Sequence, residues 1–312
     1  MNYSITLSSI ILLMMSGCNS GGSLLQNDVE LVNSTSFSET RILNTHREVD
    51  ILYPTSGTTL AGTLYLPLDS GPHPVMVFQF GSSDWQRANI PVDTSWTDRG
   101  LAILIFDRRG LGGSGGVCCD ANIKLLADDL LAGVDAVAQY PDVDPARIGI
   151  FGFSQGGWVV PEAASRVQHL AFSIIGSGPA VSIGEERLYS ELTGDEDCER
   201  SSLTDRQIDE LMAQAIPSDY DPREALAIMP QPGYWYYGGL DTSNPYRQSI
   251  AVLDALKDNL DKDWTIQLYP DANHQFIRNG TPCQSSGEFI NTQDGIAAWL
   301  APIIGIDIST SE

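Results

Sequence analysis

Three side chains in this sequence could together activate a hydroxyl group: Ser154, Asp241 and His274. Ser154 lies in Gly152-Phe153-Ser154-Gln155-Gly156, a Gly-x-Ser-x-Gly pattern. A serine exposed between a strand end and a helix start stands on a sharp, strained turn. Neighbouring backbone then comes so close that glycine is needed two residues before and after it. The main-chain N–H of Gln155 would open the following helix, where the positive end of the helix dipole suits a developing oxyanion. The pentapeptide alone is a weak signal, because a glycine-rich turn after any strand looks the same. A serine hydroxyl is also a poor nucleophile near neutral pH. It needs a base to take its proton and a third group to orient that base.

The chain has four histidines from which to choose the base. His46 precedes the first strand pattern. His73 falls in the Asp-Ser-Gly-Pro-His-Pro turn at 69–74 and reads as a solvated turn residue. His169 comes just before a strand, at what should be the far end of a sheet. His274 remains, in Pro270-Asp271-Ala272-Asn273-His274-Gln275-Phe276, the loop leaving the last strand pattern. In a parallel sheet that loop opens on the same carboxyl edge as Ser154. The acid should leave a strand end between the two, and Asp241, in Tyr237-Gly238-Gly239-Leu240-Asp241, does so. Asp254 and Asp258 fall on a helix face and read as surface. Asp271 is the competitor, but three residues from His274 in one loop it would struggle to reach the far ring nitrogen.

The elements that must position these groups follow from hydrophobic periodicity. Residues 46–53 and 58–66 read as an antiparallel hairpin at one edge of a sheet. Residues 75–80 and 101–106 are continuous apolar runs, as expected of parallel strands buried on both faces. Further strands are expected at 148–153, 170–175, 234–237 and 264–269. Helices are expected over 89–99 beyond Pro91, and over 123–140, 155–167, 245–260 and 287–300. The second of these carries Leu126, Leu130, Val134 and Val137 on one face, and the last turns Ile290, Ile296, Ala297 and Leu300 inward. Strand and helix alternate, which implies an α/β fold with a mostly parallel sheet and helices on both faces. Residues 178–232 break the rhythm and read as a helical cap insertion, with a helical segment at 204–215. The acidic cluster there, Glu185-Glu186 and Asp195-Glu196-Asp197, fits no calcium-loop spacing and reads as a solvated face. The glycine-rich loop at 107–116 has no Gly-Lys-Ser/Thr and does not open a helix, so a phosphate cradle is set aside.

Composition narrows the partners. Forty acidic residues against 17 basic ones give a net charge of −23. That excludes the basic stripe that nucleic acid would need, and any docking on anionic lipid through charge. It suits a heavily hydrated surface. Residues 5–15 are mostly apolar yet too short to span a bilayer comfortably, and they end in Met15-Ser16-Gly17-Cys18. Residues 1–17 thus read as an export signal. The ending resembles a bacterial lipoprotein lipobox, in which Cys18 would carry the lipid, although no Lys or Arg precedes it. An ordinary secretory signal and a buried N-terminal strand are the alternatives. Residues 18–44, rich in Ser, Asn, Gly and Thr, read as a tether to a domain at 45–312. The expected location is the periplasm or outer membrane, with membrane contact only through that anchor, or otherwise secretion. Cys118, Cys119, Cys198 and Cys283 could then pair in three ways, a bond between adjacent Cys118 and Cys119 being the most strained. No Cys/His spacing suggests a metal site.

From residue 46 to 300 the chain resembles the α/β-hydrolase superfamily. The nearest likeness is to bacterial serine esterases related to prolyl-oligopeptidase-type peptidases. The residues that carry it are Phe80-Gly81-Ser82, Asp107-Arg108-Arg109-Gly110-Leu111-Gly112-Gly113-Ser114, the Ser154 pentapeptide, Gly239-Leu240-Asp241 and Asn273-His274. The order Ser154, Asp241, His274 is the order of that fold. The resemblance implies a second oxyanion donor at the main-chain N–H of Ser82, after a strand that in the family commonly ends in His-Gly; this chain has Phe80 there. It implies a structural role for the Asp107 loop, acyl transfer on a small-molecule ester, and no metal or organic cofactor. A serine peptidase of the aminopeptidase type is the runner-up. Such peptidases usually carry a large N-terminal propeller, and only a short stretch precedes His46. A non-catalytic surface lipoprotein that keeps the fold is the remaining alternative.

Overall fold

The structure is a computed structural model that describes residues 26–84, 86–90, 93–118 and 122–306. The expected export signal and Cys18 lie outside the described residues.

Strands that are apolar on both faces can only sit in the middle of a sheet covered on both sides. Accordingly β6 (His73–Gln79), β7 (Ala102–Phe106) and β10 (Ser173–Gly176) are buried at every position, and β9 (Val143–Phe153) is buried from Ile148 onward. They form the centre of a ten-stranded sheet with β4 (Arg47–Thr55), β5 (Thr58–Leu66), β11 (Gly233–Gly238) and β12 (Trp264–Tyr269). The spatial order is β12-β11-β10-β9-β6-β7-β5-β4. From β12 to β7 all neighbours are parallel; β5 and β4 join antiparallel as the expected edge hairpin. After β6 the chain moves outward to β7, then crosses back to place β9 on the other side of β6. That reversal leaves a crevice beyond the carboxyl ends of β6 and β9, where open α/β sheets place their ligands.

Each face of the sheet has its own apolar layer. One face packs α2 (Ile123–Val137), α3 (Gly156–Ala164) and α7 (Tyr246–Leu260) through Leu126, Leu130, Val134, Val159 and Leu253. The other packs α1 (Ser95–Asp98) and α8 (Gln293–Ile304) through Trp96, Ile296 and Leu300. Trp158, Trp235 and Tyr237 belong to the first layer and Tyr236 to the second, so these aromatics are core.

Several expectations change. The helix expected over 89–99 is only the single turn of α1, preceded by a 3-10 turn at Arg87–Asn89. The closing helix starts at Gln293, where Asn291 accepts from the Gln293 N–H, so Ile290 packs inward from the loop before it. His73 is not solvated: it opens β6 and is buried, with its N–H bonded to the Asp142 carbonyl and its ring against the Asp69 carbonyl. The described part of the tether is not a free linker. β1 (Gln26–Asn27) pairs with β8 (Gly116–Val117), and β2 (Ser36–Phe37) and β3 (Arg41–Ile42) pair with β4. Arg41 anchors this run through Glu48 and Asp50. The open edge of β4 explains it: unpaired strand N–H and C=O groups recruit any chain that can reach them.

The cap holds three helices, α4 (Ile183–Thr193), α5 (Asp205–Met212) and α6 (Arg223–Ile228). Only the second was expected. Capping boxes, Ser182 with Glu185 and Thr204 with Gln207, start the first two. Among the described residues no helix is long and apolar enough to cross a membrane.

Candidate active site

Ser154 follows β9 with φ +52°, a left-handed conformation that costs a serine backbone strain. The turn is held by the Ser154 N–H on the Gly176 carbonyl at 3.0 Å and by the Gly157 N–H on the Ser154 carbonyl at 2.8 Å. The two glycines that matter sterically differ from expectation. A Cβ on Gly152 would meet Val160 at 2.6 Å, and one on Gly157 would meet the Gly178 backbone at 2.4 Å. At Gly156 the nearest contact would be an ordinary 3.4 Å. The third glycine of the run, where α3 crosses the loop after β10, is therefore more demanding than the pattern's own last glycine. Ser154 is half-buried among buried neighbours. Gln155 stands at the N-cap of α3.

The loop after β6 lies directly against this elbow. A Cβ on Gly81 would be 3.3 Å from the Ser154 Cβ and 3.7 Å from Oγ. Ser82 is next to it and exposed. Asp107 serves the loop after β7: its carboxylate accepts from the main-chain N–H groups of Arg87 and Gly113 and from the Arg87 guanidinium.

His274 and Asp241 are brought together from separate loops. The Asp241 Oδ2 lies 2.8 Å from the His274 Nδ1, with both residues buried. The other oxygen, Oδ1, accepts from the main-chain N–H groups of Ser243 and Asn244, each at 2.9 Å, which fixes the carboxylate plane. The loop carrying His274 is stapled by Asn273, which accepts from the N–H groups of Gln275 and Ile277 and donates to the carbonyls of Thr281 and Gln284. Ser177 donates to the His274 carbonyl at 3.0 Å. The imidazole packs edge-on against Phe153, the residue before Ser154, with ring centroids 5.2 Å apart. Serine, acid and histidine thus stand at the carboxyl ends of the parallel strands β9, β11 and β12, on one rim. Asp271 turns away to pair with Arg278, and Asp254, Asp258 and His169 are exposed.

The cap contributes what the sequence did not reveal. The Tyr189 hydroxyl donates to the Asp241 carbonyl at 2.9 Å, and the Thr193 hydroxyl to the Thr242 carbonyl at 2.6 Å. Thr242 in turn donates to Asp195 at 2.6 Å. A disulfide between Cys198 and Cys283 joins the cap to the His274 loop. Cys118 is also in a disulfide, and Cys119 lies outside the described residues. The acidic cluster is not the solvated face expected. Glu185 is buried in its capping box and pairs with Arg223, Asp195 is bonded to Thr242, and only Glu196 and Asp197 are exposed. No spacing rule marks these contacts, because they exist only once the cap folds onto the rim.

Electrostatics couple the cap to the base. Burial opposes a charged His274, but Asp241, with Asp195 and Glu186 beyond it, outweighs burial and raises the imidazole pKa. Desolvation pushes the Glu186 carboxyl up to about 7, with His274 pulling it back and Asp195 and Asp241 adding to the rise. Replacing Glu186 by Gln removes one of the negative charges that favour imidazolium. The free imidazole is the form that accepts a proton, so the acid limb of kcat/KM should move to lower pH. A pH–rate profile on an uncharged ester checks this; an unmoved limb would show that Glu186 does not act on the base.

The model of the prolyl oligopeptidase family matches residues 90–290. An uncharacterized protein of Mycobacterium tuberculosis, Rv2307c, is 28% identical over 148 residues, 47% of this chain and 50% of that protein. The chain thus spans about half the length of that relative. The fold is similar to acylaminoacyl peptidase of Pyrococcus horikoshii, with TM-score 0.62 and 18% identity over 86% of this chain and 44% of that one. It is also similar to the esterase Pf2001 of Pyrococcus furiosus, with TM-score 0.54 and 19% identity over 82% of this chain and 91% of that one. At these identities the two structures speak for the fold.

Proposed function

The chain belongs to the prolyl oligopeptidase family, and on that premise we propose that it is a carboxylesterase working by acyl transfer through Ser154, His274 and Asp241. An α/β-hydrolase of serine type is the common ground of its relatives; the ester is our reading. The observation that carries it is the 2.8 Å contact of Asp241 with the His274 Nδ1, on the rim where Ser154 stands on its strained turn.

In the proposed reaction the His274 Nε2 takes the Ser154 proton as Oγ attacks the ester carbonyl. Main-chain N–H groups of Gln155 and Ser82 hold the oxyanion. The imidazolium gives its proton to the departing alcohol, leaving an acyl-serine. Water, deprotonated by the same imidazole, then releases the carboxylic acid and restores the hydroxyl. Asp241 keeps the proton on Nδ1 and so leaves Nε2 free to accept.

A second reading has its own observation. Glu186 and Asp195 place negative charge beside His274, which would suit a protonated amine such as an aminoacyl substrate presents. A disulfide across the cap supports action in an oxidising compartment, in keeping with export.

The test compares p-nitrophenyl acyl esters, their aminoacyl counterparts and aminoacyl p-nitroanilides, with Ser154→Ala as control. Acyl esters are expected to be turned over fastest, and a fluorophosphonate probe to label wild type and not Ser154→Ala. Anilides turned over faster than acyl esters would move the reading to a peptidase. Absence of labelling would favour the non-catalytic binding protein.

A further inference from the structure

We propose that Arg108 is a positioning residue of the oxyanion hole: it grips the peptide whose N–H serves as the second donor. The proposal rests on the reading of the Ser82 N–H as that donor.

β6 and β7 are parallel neighbours, so the loops at their carboxyl ends emerge side by side. Arg108, two residues beyond β7, is 6% exposed. Its Nη1 donates to the Gly81 carbonyl at 3.0 Å and to the Ser83 carbonyl at 3.2 Å. These two carbonyls bracket Ser82. The neighbours of Arg108 are tied down separately. Asp107 holds Arg87 and the Gly113 N–H, while Arg109 forms a two-pronged pair with Asp129 at 2.5 and 3.0 Å. The guanidinium between them is therefore mounted on a fixed turn.

A peptide unit is planar, and in the trans form its C=O and N–H point in opposite directions. The cis bond among the described residues is Gly71–Pro72, so Gly81–Ser82 is trans. Holding the Gly81 oxygen thus sets the direction of the Ser82 N–H, on the side away from Arg108. The same peptide begins at Gly81, the residue packed on Ser154. Without the grip a glycine-led loop could rotate this peptide at little steric cost. A cation on the carbonyl end also polarises the unit, making its N–H a stronger donor toward negative charge. The grip thus acts on the transition state, where the oxyanion forms, more than on the bound ester.

The test uses Arg108→Lys and Arg108→Gln in the full chain, with matched oxygen and thiono esters. Sulfur accepts hydrogen bonds poorly, so an intact hole favours the oxygen ester strongly and a misaimed one does so less. The expected result is a fall in kcat on the oxygen ester of about 10- to 100-fold with KM nearly unchanged, and a collapse of the oxygen-to-thiono rate ratio. Lys, which keeps a cationic donor, should retain more of that ratio than Gln, whose amide donates without the charge. If Gln fails to fold, the Lys variant still reports the ratio. A drop in melting temperature with the ratio unchanged in the folded variant would overturn the proposal and leave Arg108 a scaffold residue. Ser82→Pro, which deletes the N–H itself, separates the two levels. If it leaves the ratio intact, the donor reading falls and the proposal with it. If it collapses the ratio while both Arg108 variants keep it, the proposal alone fails.

Discussion

Replacing Asp241 by Asn should lower kcat on esters about 10⁴-fold with the fold intact. Two of the three contacts of this carboxylate survive, because the amide oxygen can still accept from the Ser243 and Asn244 N–H groups. The third reverses. An amide NH2 facing the imidazole meets a proton on Nδ1, so the ring must move that proton to Nε2 or lose the contact. Nε2 is then protonated and cannot receive the Ser154 proton. The loss belongs to kcat, since Asp241 lies behind His274 and away from substrate. Combining the change with Ser154→Ala should add little, because the groups act as a unit. Rates with and without the substitution, beside melting temperatures, decide the matter. A loss under tenfold with unchanged stability would remove Asp241 from the mechanism.

The double replacement Cys198→Ser with Cys283→Ser should destabilise the protein by roughly 2–4 kcal/mol and lower kcat. The bond closes a stretch of 85 residues, so its loss returns considerable freedom to the unfolded chain. Its second effect is local. One end sits in the cap just beyond α4, whose Tyr189 and Thr193 brace the Asp241 loop; the other end sits in the loop carrying His274. Cutting the link frees the two loops to move relative to each other and loosens the acid–base pair. Substitution is a cleaner test than reductant, because Cys118 is also disulfide-bonded. Thermal melting and ester kinetics on the same preparation would check both halves. Full stability with full activity would reduce the bond to a surface staple.

Periodicity was a sound guide to the centre of the sheet and a poor one at its margins. Residues 75–80 and 101–106 could be assigned as strands because they are apolar without a break, and β6 and β7 are buried on both faces for that reason. At His73 the Pro-rich turn pattern hides the strand that begins in it. The polar composition of residues 18–44 carries no trace of β4's open edge, on which residues 36–37 and 41–42 pair. The cap helices α4 and α6 leave little periodic trace because each offers few apolar residues: Tyr189 and Leu192 of α4 pack with Ile208 and Met212 of α5, and α6 adds Leu226 to the first core layer.

Chain order and residue type by themselves determined which serine, acid and histidine could act together. A nucleophile turn demands glycines at set spacing, and strand ends in a parallel sheet share one rim, so both constraints are written locally. What only the tertiary structure decided is how those groups are held. Tyr189 on the Asp241 carbonyl, Arg108 on the Gly81 carbonyl and the Cys198–Cys283 bond link segments far apart in the chain. Such contacts depend on direction and distance in space, and a linear pattern of polar residues does not encode either one.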